Sequence, residues 1–217
     1  MSTTIDPASI TPGEVSFFVP PDWFDLMADG TDREATRARC AELVRLTYPN
    51  TPEQRRQEFT DGLLYCYDRF LADGVLMYGV ITAPLPSTGT QAAWQVYGGV
   101  VAVPERPDEM DLGELLAQVF DQRFADKMAY VERFPTDMGL GFGFISQPSV
   151  AVPRDWEGEV GTELRTGLAG VLTCPADGGK GLLVIGTSLD PDQVRELAGL
   201  VAVIAGHSVF TSRTPGE

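Results

Sequence analysis

Apolar and polar positions in this chain recur with two different periods, and the places where the period changes mark its elements. Residues 14–19 are a short apolar run stopped by Pro20-Pro21, which predicts a strand ended by a turn. Thr31-Asp32-Arg33-Glu34 has the spacing of a capping box, in which a hydroxyl and a carboxylate satisfy the first free N–H groups of a helix. The apolar stripe that follows, Cys40, Leu43, Val44 and Tyr48, has the i, i+3, i+4 spacing of one buried helix face, and Pro49 closes it. Thr51-Pro52-Glu53-Gln54 repeats the start signal, with proline expected at the first helical position, where no donor is lost. Phe59, Leu63, Cys66, Tyr67 and Phe70 form the second stripe, and the short link between the stripes predicts an αα-hairpin.

Beyond residue 74 the period shortens. Residues 75–83 and 92–103 are rich in Val and Tyr and predict a β-hairpin with a long loop. Asp111 and Glu114 open a third helix with an apolar face of Leu112, Leu115, Leu116, Val119 and Phe120. A short strand is expected at 129–134. The run Gly-Leu-Gly-Phe-Gly-Phe at 139–144 alternates strictly, placing Leu140, Phe142 and Phe144 on one face and bare glycine backbone on the other. Further strands are predicted at 149–152, 163–173 and 181–187, with the turn Ala176-Asp177-Gly178-Gly179 joining the last two. Asp190-Pro191 starts a final helix carrying Val194, Leu197, Ala198, Val201 and Ala205, with Gly206 as its expected terminator and an edge strand at 207–210. One internal echo spans the chain. Ser16 to Trp23 and Ser149 to Trp156 share Ser, Val, Pro, Asp and Trp at aligned positions, each preceding two strands and a capped helix.

These elements predict an α+β protein with a mainly antiparallel sheet covered by helices; the echo reads either as two pseudo-duplicated halves with the αα-hairpin inserted in the first or as chance similarity of two strand–turn segments. Residues 1–217 are read as one compact domain with halves 1–138 and 139–210 and a flexible tail at 211–217. A length of 217 residues with 43% apolar and 22% charged residues is that of a packed globular chain. The N-terminus has neither a basic region nor an apolar core, so no secretory signal is expected. Its longest nearly unbroken apolar run, 197–206, is about half the ~20 residues a membrane span needs.

Charge narrows the function classes. The formal net charge of −15 repels nucleic acid and would draw no counterion release from a phosphate backbone. Between Thr31 and Asp73 arginines nearly cancel the acids, so the predicted hairpin is close to neutral on a chain that is acidic elsewhere. Such a surface favours a basic protein partner. Only two basic residues, Lys127 and Lys180, are lysines; this arginine usage fits a GC-rich genome.

No reactive constellation emerges from the motifs. The 139–144 glycines lack the following helix that a dinucleotide fingerprint requires. Around Gly178-Gly179-Lys180-Gly181, Cys174 stands where a P-loop has its first glycine and Gly181 where it has Ser or Thr, so a hairpin turn is expected. The single histidine, His207, has no second histidine for a metal site and no nucleophile elbow nearby. Cys40, Cys66 and Cys174 lack metal-ligand spacing and read as reduced structural thiols, which implies a cytoplasmic location. Glu105, Asp108, Glu109, Asp111 and Glu114 precede and open a helix, where its dipole favours them. No catalytic, cofactor or metal residue is assigned. Trp23 and Phe24, which follow the Pro-Pro turn, and Trp156 at the matching place in the echo are the candidate partner-binding residues.

The strand, Val-Pro-x-Asp-Trp turn, hairpin strands and capped C-terminal helix resemble the Mog1/PsbP-type α/β/α sandwich, whose members are mostly binding and assembly factors. The early Val-Pro-x-x-Trp turn, Arg-rich αα-hairpin and Gly-rich strand are also similar to actinobacterial proteins found around type VII secretion loci. Both resemblances imply a non-enzymatic protein-interaction or accessory module, in the second case of a secretion or envelope system. The alternative is a small-molecule binder or an enzyme using carboxylates on an open sheet face. Self-association through an edge strand is a third expectation.

Overall fold

The computed structural model describes residues 15–20, 23–81, 89, 94–119, 128, 130–151 and 163–211. Its centre is a seven-stranded antiparallel sheet. Along the chain come β1 (Val15–Ser16), β2 (Phe24–Asp25), α1 (Arg33–Thr47), α2 (Glu53–Ala72), β3 (Val75–Ile81), β4 (Trp94–Val103), α3 (Leu112–Val119), β5 (Tyr130–Thr136) and β6 (Gly139–Ser146). There follow β7 (Ser149–Ala151), β8 (Glu163–Arg165), β9 (Gly167–Cys174), β10 (Gly179–Ser188), a 3-10 turn (Pro191–Gln193), α4 (Val194–His207) and β11 (Val209–Phe210). The sheet order is β2-β3-β4-β10-β9-β6-β5; β1 pairs with β11 and β7 with β8 in separate two-stranded ribbons. This is the α+β architecture the alternation predicts.

Side-chain alternation divides the sheet into two faces. Val96, Val171 and Val184 point to one face and pack with Leu197, Val201 and Ile204 of α4. Gly186 makes that approach close, since a methyl group there would meet Leu197 and Val201 within 2.7 Å. The opposite face carries Tyr78 and Tyr97 against the αα-hairpin, and Val103, Phe142, Leu172 and Cys174 against Leu115 of α3. The two β-hairpins β3–β4 and β9–β10 lie side by side through the β4–β10 ladder, Trp94↔Ser188 to Val103↔Gly179. The helices that follow them, α3 and α4, lie on opposite faces.

The glycine face of β6 is covered by its neighbour. Phe134 of β5 pairs with Gly141, and its ring lies across Gly141 and Gly143, 2.8 and 3.2 Å from where side chains would begin. An aromatic laid over strand glycines restores the apolar cover that the missing side chains would supply. On the other face the Phe144 ring occupies the space above Gly170.

Several local signals act one residue away from their predicted place. Asp32, not Thr31, caps α1: its Oδ1 accepts from Ala35 N at 3.0 Å. Pro52 stands at the cap of α2 rather than inside its first turn, with no side-chain cap bond. Gly206 lies within α4, which ends at Ser208 in extended conformation. The Asp111 cap agrees with expectation, accepting from Glu114 N at 3.3 Å. Residue 14 lies outside the described residues, and of the strand expected at 14–19 only Val15–Ser16 pairs; beyond it Phe17 packs on Gly98 and the Phe18 N–H bonds Ser208 Oγ at 2.9 Å.

Candidate functional site

The αα-hairpin meets the sheet through α2 and β3. Its two helices meet along a seam of Thr36, Cys40 and Val44 from α1 and Thr60, Leu64 and Tyr67 from α2, all buried. Thr36 and Thr60 fit there because each hydroxyl bonds a carbonyl four residues back, at 2.9 and 3.0 Å. Arg33–Asp68 at 2.9 Å and Arg37–Asp61 at 3.4 Å cross between the helices at exposed positions, where such pairs orient more than they stabilise.

The base of the hairpin is firmly held. Phe70 sits 4.4 Å from the Tyr78 ring and meets Tyr97 nearly edge-on at 5.5 Å, and burial pushes both phenols above their ordinary pKa. Tyr67 Oη donates to Gly30 O at 2.8 Å. Arg39 joins α1 to the sheet edge: its Nε bonds Asp29 Oδ2 at 2.8 Å, its other nitrogens reach the Asp25 and Leu26 carbonyls, and its guanidinium lies 5.0 Å above the Phe24 ring.

The far end is bare. Phe59, Leu63, Cys66 and Phe70 share one side of α2 at spacings of four, three and four residues, and Arg39, Leu43 and Leu46 share the matching side of α1. A 20-residue helix runs about 30 Å, so the stripe that starts on the sheet at Phe70 continues past its edge. There Leu46, Tyr48 and Phe59 remain 63%, 47% and 43% exposed, with the Tyr48 and Phe59 rings 5.0 Å apart. Arg45–Glu42, Arg56–Glu53 and Arg55–Glu58 pair within their own helices, leaving little net charge around the aromatic pair. This arrangement offers an apolar contact surface rather than chemistry. The sequence holds its signal in Phe59, which is counted in the stripe, but one-dimensional spacing does not say where a sheet ends.

Of the candidate partner-binding residues, Trp23 is half-buried, its ring laid on the bare backbone of Gly79, and its Nε1 is enclosed without a hydrogen-bond partner among the described residues. Phe24 is half-buried in β2 beneath Arg39. Trp156 lies outside the described residues.

Among the described residues the reactive residue types do not converge. His207 Nδ1 is 3.0 Å from Asp137 Oδ2, both exposed, with the Phe18 ring 5.3 Å from the imidazole. The neighbouring Ser208 hydroxyl is buried and committed, donating to Ile204 O at 2.6 Å and accepting from Phe18 N. All three cysteines are free thiols; Cys174 is buried on the α3 side of the sheet, where desolvation pushes its pKa up to about 11. Among the described residues no three His, Cys, Asp or Glu side chains gather as a metal site requires. The Gly178-Gly179 turn has φ of +75° and +84° and simply reverses the chain between β9 and β10. No helix among the described residues is long and apolar enough to cross a membrane. Comparison with known proteins finds no matching family model, no matching curated protein and no matching solved structure.

Proposed function

We propose that this protein is a non-enzymatic interaction module that binds a protein partner along the exposed side of the αα-hairpin. The observation that carries this reading is the stripe that runs off the sheet, covered at Phe70 and bare at Leu46, Tyr48 and Phe59. Aromatic side chains held by a rigid helix pair bring large contact area at small entropic cost, the property of interface anchors. An amphipathic helix from the partner would lie along Leu43, Leu46 and Phe59 as a third helix. The acidic remainder of the chain favours a partner with Lys and Arg beside its apolar face. A place as an accessory or assembly factor of a secretion or envelope system fits this reading and rests on the resemblance of the turn and hairpin motifs.

The test is affinity capture from native lysate with immobilised wild-type protein and the double variant Tyr48→Ser/Phe59→Ser. A partner retained by wild type and lost from the variant is the expected result. Identical recovery from both, or nothing above a bare-matrix control, would end the reading.

A further inference from the structure

A second feature lies at the base of the hairpin, away from the aromatic end. Here the sheet edge is interrupted. β2 pairs with β3 only at Phe24↔Val80 and Asp25↔Gly79, the Leu26 N–H bonds Tyr78 O at 2.8 Å, and the chain then turns away. On β3 the register slips between Val75 and Met77, making Leu76 a bulge residue. A bulged strand that loses its edge neighbour leaves a gap, and a cavity of about 230 Å³ occupies it. Phe17 just past β1, Leu71 at the end of α2, Val75 and Leu76 supply apolar wall, and residues 27, 28 and 30 border the rest.

Among the described residues of this wall, Asp25 carries the ionisable side chain. Its Oδ1 accepts from Met27 N at 2.9 Å and from Tyr78 N at 3.0 Å, holding the turn and the end of the ladder. An asparagine would meet both donors without placing a charge in a partly desolvated site. The carboxylate adds a second oxygen, which takes no hydrogen bond among the described residues, and a negative charge that the nearby Arg39 does not pair directly. Arg39 spends its nitrogens on Asp29 and on the two backbone carbonyls. Asp29 lies on the outer side of this network and adds to the negative field at Asp25.

We propose that this cavity binds a compact primary amine, its ammonium on the Asp25 carboxylate and its hydrocarbon body against Phe17, Leu71, Val75 and Leu76. The size is appropriate: an apolar cavity of ~150 Å³ holds benzene, so this one takes a single ring with a short aminoalkyl arm. A cation is the ligand class that compensates the half-buried carboxylate, and a chain of net charge −15 concentrates cations around it. A hydroxyl in the same place would donate one hydrogen bond and leave the charge uncompensated.

The probe is benzylamine, titrated into the full-length protein by calorimetry and by ligand-observed NMR, with benzyl alcohol and benzoate as matched controls. Saturable benzylamine binding is expected, at least tenfold tighter than that of benzyl alcohol, with benzoate not binding. Asp25→Asn keeps both backbone bonds and should weaken benzylamine at least tenfold while leaving benzyl alcohol unchanged. Ala28→Trp, at an exposed position bordering the cavity, should abolish binding of both and keeps the test valid if the Asp25 variant does not fold. No saturable benzylamine binding, equal affinity for the alcohol, or unchanged affinity in either folded variant would overturn the proposal. The Tyr48→Ser/Phe59→Ser variant should bind benzylamine normally, which separates this site from the partner surface.

Discussion

At the scale of single residues, most energetic consequences follow from who lies against whom. Burial raises the Asp25 pKa more than its backbone hydrogen bonds and Arg39 lower it. A carboxyl with a raised folded-state pKa favours folding most when protonated, so its contribution is complete below the unfolded value near 3.8 and fades as pH climbs through the folded value. Asp25→Asn should therefore raise the melting temperature at pH 7 and leave it unchanged near pH 3, as thermal unfolding at both pH values will show. An equal shift at the two pH values would mean the charge is not the cause. The Phe134 ring over Gly141 and Gly143 makes a second case: Phe134→Ala should cost about 2 kcal/mol in urea unfolding, because it uncovers two strand positions as well as its own. Neither effect is visible from one-dimensional spacing. The glycine alternation at 139–144 announces a thin face, but the residue that covers it sits in the neighbouring strand. Thiol labelling should follow burial, with half-buried Cys66 reacting well before Cys40 and Cys174, both enclosed and held above their ordinary pKa.

At the scale of elements, the sequence is most legible where the determinants are local. The Asp111 cap, the strand at 139–144 and most of the stripes along α1 and α2 depend on side chains within a turn or two of one another and appear, whereas Tyr48 and Phe59, counted in those stripes, are 47% and 43% exposed, with Tyr48 just past the end of α1. The capping box falls one residue off because Asp32 and Thr31 are both competent acceptors, and the carboxylate bonds Ala35 N. Asp32→Ala should cost about 1 kcal/mol in chemical denaturation, whereas Thr31→Ala should change little. The turn into β10 depends on backbone geometry: Gly178 has φ of +75°, and a methyl group there would lie 2.0 Å from Pro104 O. Gly178→Val should be among the most damaging single changes in the chain, measurable as loss of soluble expression or a steep fall in melting temperature.

At the scale of the whole molecule, charge and layering set the behaviour. A net charge of −15 works against compaction, while the exposed ion pairs of the hairpin contribute little each. Raising NaCl from about 20 mM to 0.5 M should accordingly increase the melting temperature, since screening relieves the long-range repulsion before it affects packed groups. A falling melting temperature would show that the hairpin ion pairs matter more than the net charge. At the sheet edge, β5 carries Glu132, Arg133 and Pro135, which discourage pairing with another copy.

The sequence by itself determined the kinds of element, their order, the antiparallel α+β class and the near-neutral hairpin on an acidic chain. These follow from periodicity, caps and composition, which act over a few residues or over the whole count. Only the tertiary structure decided which helix covers which face, where the hairpin outruns the sheet, and that Asp25, Phe17, Leu71 and Leu76 border one cavity. Those outcomes depend on strand register, a bulge and the departure point of an edge strand. The cavity alone joins Phe17 to Leu76, 59 positions apart, a separation over which no local preference acts.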